Sequence, residues 1–148
     1  MSDPILHARG LTKRFGTQTA LDGLDLAIHA GEVYALLGPN GAGKTTTINL
    51  FLGFLAPDGG SALVDGLDVQ AEPLETKRRL AYLPEQVALY PALSGRENLK
   101  YFAALAGHAL DDGALAGFLD RAGLQREAHD RRAANYSYGM RQKVGVSL

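Results

Sequence analysis

Apolar and polar residues alternate along the first third of the chain as they do in strands covered on one face. Ile5 to Arg9 reads as one strand, and Arg14-Phe15-Gly16 as a turn. From Ala20 to His29 the apolar positions Leu24, Leu26 and Ile28 recur at every second residue, which predicts a half-buried strand. Ala30-Gly31-Glu32 then turns the chain into the unbroken apolar run Val33 to Leu37, which predicts a buried strand. Beyond it the period changes. Between Lys44 and Leu55 the apolar residues Ile48, Phe51, Leu52 and Leu55 are spaced for one face of a helix. Pro57 to Gly60 is a turn, Ser61 to Asp65 a short strand, Pro73 to Arg79 a short helix, and Leu80 to Leu83 another short strand. Ser94, with Glu97 three residues on, has the form of a capping box opening a helix through Ala106. Leu115, Phe118, Leu119 and Ala122 give a second amphipathic face, and Ser137 precedes a helix over Met140 to Leu148. That last helix stops without a cap, a terminating glycine or a polar tail, so it reads as cut. The pattern predicts an α/β fold with an N-terminal antiparallel β portion and a helical insertion over about 87–134.

With 148 residues, 46% of them hydrophobic, the chain can bury the core of one domain. Its formal charge of −1 and the lack of a basic stripe argue against a nucleic-acid partner. Lys77-Arg78-Arg79 and Arg131-Arg132 read as solvated helix faces, and His7, His29, His108 and His129 as surface or loop residues. With no cysteine, thiol nucleophiles and thiolate metal sites are excluded, which is compatible with a reducing cytosol. No secretory signal is visible and no apolar run reaches the length of a membrane helix, about 20 residues, so a membrane role is expected through a partner.

The chemistry concentrates in Gly38-Pro39-Asn40-Gly41-Ala42-Gly43-Lys44-Thr45-Thr46, which fits the phosphate-loop (Walker A) pattern G-x-x-x-x-G-K-[ST] between a predicted strand and a predicted helix. Glycines at 38, 41 and 43 permit backbone conformations closed to other residues and a close approach to a ligand. Successive N–H groups at a helix N-terminus then favour phosphate oxygens. Lys44 is expected to reach the terminal phosphates of a nucleoside triphosphate. The Thr45 hydroxyl suits Mg²⁺, a hard cation that prefers oxygen, and Thr46 suits a phosphate nearer the nucleoside.

Together with that loop, two further segments make the chain resemble the ATP-binding domain of ATP-binding cassette (ABC) transporters. One is Tyr82-Leu83-Pro84-Glu85-Gln86, where Gln86 looks like the glutamine of that family's Q-loop; the other is Tyr136-Ser137-Tyr138-Gly139-Met140-Arg141-Gln142, which looks like its signature segment. The run Tyr90 to Leu99 is similar to the exporter-like subgroup. The resemblance implies a phosphate-loop NTPase core, truncated at its C-terminus, with Phe15 stacking on adenine and Gln86 approaching Mg²⁺ and the attacking water. It also implies that Ser137 and Gly139 face the ATP of a second nucleotide-binding domain, and that a transmembrane permease subunit is driven from the cytoplasmic face of the membrane. Tyr138 and Met140 depart from the commonest signature, which has glycine and glutamine there. The segment bearing the catalytic carboxylate is expected past Leu148, so an ATPase is implied for the complete protein only. The alternatives are an ATPase of a non-transport ABC family and a nucleotide-binding fragment without hydrolysis.

Overall fold

The computed structural model describes residues 3–147. They fall into two compact units, Met1–Ala81 and Tyr82–Leu148. In the first, strands β1 (Leu6–Phe15), β2 (Gln18–Ile28), β3 (Gly59–Val64) and β4 (Leu67–Asp68) form an antiparallel sheet in the order β2-β1-β3-β4. Helices α1 (Lys44–Phe51) and α2 (Pro73–Lys77) complete this unit. The β1–β2 register sets Leu6 opposite Ile28, Ala8 opposite Leu26 and Leu11 opposite Leu24, so the alternation read from the sequence becomes one covered face. Ala8, Leu11, Ala62 and Val64 from the sheet and Leu50 and Phe51 from α1 form its core. Near Gly10 both ladders of β1 shift register. Gly60 (φ +72°) crosses there so close to the Arg9 and Gly10 carbonyls that no side chain fits.

Three expectations for this unit need correcting. Phe15 closes β1 rather than sitting in the turn, and pairs with Gln18 across Gly16 and Thr17. The buried residues of α1 are Thr47, Leu50 and Phe51, while Ile48 is exposed, so the core-facing stripe is rotated from the one the apolar spacing suggested. Val33 to Leu37 is not a strand: it runs over the surface with Val33 fully exposed and Leu37 89% exposed. A strand exists only where a neighbour accepts its backbone hydrogen bonds, and no strand among the described residues pairs with this run.

The second unit is helical. It comprises α3 (Gly95–Leu105), α4 (Asp112–Arg121), α5 (Arg126–His129), a 3₁₀ turn (Ala133–Asn135) and α6 (Tyr138–Val146). The predicted capping box opens α3: the Glu97 N–H donates to the Ser94 hydroxyl, and the Ser94 N–H donates to the Glu97 carboxylate. Leu115 and Leu119 of α4 are fully buried with Leu99, Leu124, Ala133, Tyr136 and Val144. The strand expected over Leu80 to Leu83 is absent, for the same lack of a ladder partner. Of the terminal helix, Leu148 lies outside the described residues. His129, expected at the surface, is buried on α5, where its Nε2 lies 3.1 Å from the Leu124 carbonyl oxygen and 3.5 Å from Asp120.

Candidate functional site

Residues Gly38 to Thr46 wrap the N-terminus of α1. Gly43 caps the helix in the left-handed region (φ 85°), and a Cβ there would lie 2.7 Å from the Ala20 carbonyl oxygen of β2, so glycine is needed for both conformation and space. A Cβ on Gly38 would already touch that of Ala42 at 3.0 Å. The Lys44 ammonium turns back over the loop and donates to the carbonyls of Gly38 (2.6 Å) and Pro39 (2.8 Å). Its partners are neutral carbonyls rather than a carboxylate, so its charge is not compensated by them. The Thr47 hydroxyl donates to the Gly43 carbonyl at 2.9 Å, locking the first turn. No side chain caps α1 and no acidic residue lies in its first turn. Its leading N–H groups therefore have no partner within the helix and carry the positive end of its dipole. This donor set fits a phosphate. The exposed Thr45 hydroxyl, an oxygen at the mouth of the loop, has the chemistry Mg²⁺ prefers.

Phe15 lies in the same unit, 49% exposed, with the Lys13 ammonium 5.7 Å from its ring centre. Asp58 braces this end of β1, accepting from the Arg14 N–H at 2.7 Å and pairing with Lys13 at 3.2 Å. The Arg14 N–H, then the Lys13 ammonium, holds its carboxyl below the ordinary value. A ring this exposed at the end of a hairpin has a free face.

Gln86, Ser137 and Gly139 belong to the second unit. Gln86 is exposed on the wall of a cleft of about 540 Å³ that it shares with Val87, Leu89, Tyr138, Arg141 and Gln142. Ser137 is the N-cap of α6, its hydroxyl accepting from the Met140 N–H at 3.3 Å. Gly139 is exposed, with open space where a Cβ would stand. Just ahead of them, the buried Tyr136 hydroxyl accepts from the Gly95 N–H at 3.1 Å and donates to the Ala128 carbonyl. Sequence reasoning missed this tie, and no local signal could have found it, because its partners lie on α3 and α5.

The glycine-bounded loop and uncapped helix of the first unit, with the helical second unit, define a phosphate-loop NTPase core of the α/β class. The chain belongs to the ABC transporter family, whose model matches residues 21–147. It is 40% identical over 96% of its length to the daunorubicin/doxorubicin resistance ATP-binding protein DrrA of Streptomyces peucetius, covering 43% of that protein. Over 99% of its length it is 37% identical to the ABC transporter ATP-binding protein YdbJ of Bacillus subtilis, covering 47% of it. The solved ATP-binding subunit of an ABC transporter superposes over 97% of the chain and 61% of that structure, with a TM-score of 0.80 and 31% identity. The chain therefore spans just under half the length of these curated relatives.

Proposed function

We propose that the chain is the ATP-binding part of an ABC exporter and that it binds Mg-ATP through Gly38 to Thr46. The observation that carries this reading is the Lys44 ammonium, held across a glycine loop at an uncapped helix N-terminus by carbonyls alone. Lys44 and the N–H groups of the loop and first turn supply positive charge to the phosphates, and Phe15 supplies a π-face to the base. The Thr45 hydroxyl is the oxygen that the loop would offer to Mg²⁺, which when bound would neutralise phosphate charge. Ser137 and Gly139 offer a hydroxyl and a bare N–H at the start of α6 to the nucleotide of a second such domain. In the whole protein, closure of the two domains drives a transmembrane permease from the cytoplasmic face of the membrane. The drug-resistance name of the Streptomyces relative favours an exporter over a non-transport ATPase.

Titration with Mg-ATP tests the binding site. Lys44→Ala is expected to abolish binding, and Phe15→Ala to weaken it by about 1–3 kcal/mol, the scale of one lost base stack. Equal affinity of wild type and Lys44→Ala would overturn the assignment of the loop.

A further inference from the structure

Tyr138, Gln142 and Gly145 are spaced four and three residues apart on α6, which brings them onto one face of the helix. All three meet the short segment 83–87. The Tyr138 hydroxyl donates to the Glu85 carbonyl at 2.8 Å, and the Gln142 side-chain amide donates to the same oxygen at 2.5 Å. A Cβ on Gly145 would fall 2.5 Å from Val87 Cγ2 and 2.9 Å from Leu83 Cδ1, so the glycine is what lets the helix lie this close. A carbonyl oxygen has two lone pairs, and α6 supplies a donor for each. Tyr138 is 61% exposed, so burial does not account for its placement; the contact of its hydroxyl does.

The Glu85 carbonyl belongs to the planar peptide whose nitrogen is that of Gln86. We propose that Tyr138 and Gln142 are positioning residues for Gln86, fixing that peptide against the helix whose first turn carries Ser137 and Gly139. Two groups thereby move as one body: Gln86 and the donors Ser137 and Gly139 at the start of α6. This functional half rests on the role expected above for Gln86 and on those proposed for Ser137 and Gly139. Glycine, the commonest family residue at position 138, has no side chain to donate, so one of the two bonds depends on the tyrosine this chain carries.

Backbone ¹⁵N relaxation of the full chain tests the tie. Order parameters at residues 85–88 are expected near about 0.85 in wild type and below about 0.6 in Tyr138→Phe/Gln142→Leu, with α3 and α4 unchanged. Unchanged values at 85–88 in the double variant would overturn the proposal. Should the double variant not fold, Tyr138→Phe alone, which keeps the ring and the Gln142 bond, is expected to lower the order parameters at 85–88 part of the way, and unchanged values there would overturn the proposal. In the full-length protein assembled with its membrane partner, Tyr138→Phe is expected to lower kcat about fivefold with KM for ATP unchanged, the equivalent of one hydrogen bond. An unchanged kcat would overturn the positioning role even if the loop loosens. Lys44→Ala is run in parallel. Turnover by that variant at the wild-type rate would instead overturn the ATPase reading and leave the relaxation measurement to decide the tie.

Discussion

The hydroxyl of Tyr136 bridges the N–H of Gly95 and the carbonyl of Ala128, and the residue is only 4% exposed. Burial pushes its phenol pKa up, which keeps the proton available for donation. Tyr136→Phe removes one oxygen and leaves the Gly95 N–H without its acceptor, while the Ala128 carbonyl keeps the Arg131 N–H, a loss of about 1–3 kcal/mol. Urea unfolding should show the fall as a lower midpoint at constant slope, whereas an unshifted midpoint would mean that water takes the place of the hydroxyl. What the sequence could reveal at this scale follows from distance along the chain. The glycine turns and helix start of Gly38 to Thr46 were legible because the residues that form them all sit within nine consecutive positions. Tyr138 was visible only as a departure from a family pattern, since its acceptor lies 53 residues earlier. His129 was misread because its burial depends on how Leu124 and Asp120 come to face it.

Elements whose stabilising partners lie within them were read well. The Ser94–Glu97 box and the Ser137 cap were legible, whereas the four-residue α5 and the two-residue β4 are too short to leave a periodic trace. Val33 to Leu37 failed as a strand because a ladder is a property of two segments, and the apolar content of one cannot supply the other. The helices of the second unit are also tied by carboxylates. Glu97 is held below its ordinary pKa first by the Ser94 N–H, Asp120 by its hydrogen bond to Arg126, and Asp130 by that to Arg96. A depressed folded-state pKa means that the unfolded chain takes up protons first as the pH falls. The stabilisation is therefore fully present above the unfolded value and is lost below about pH 4. Helical circular dichroism should fall in that window, and Asp120→Asn should flatten the fall. An acid transition unchanged by the substitution would show that the pair contributes nothing to it.

At the scale of the molecule, each compact unit has its own core, one built on a sheet and α1, the other on four helices and a 3₁₀ turn. The sequence reads as one domain with a helical insertion over about 87–134, whereas which residues share a core depends on which faces meet. The first unit also carries the surface run from Val33 to Leu37, with Tyr34 53% exposed between its ends. Proteases and chaperones recognise extended apolar backbone rather than fold class. To them this stretch presents unfolded polypeptide on an otherwise native body. Cleavage there needs no global opening, so its rate should not follow the stability of either core. Chymotrypsin should cut after Tyr34 or Leu37 at a rate insensitive to urea below the unfolding transition, and a rate rising steeply with urea would show that the segment is protected. A cut in these five residues would then divide the chain however well the two cores are packed.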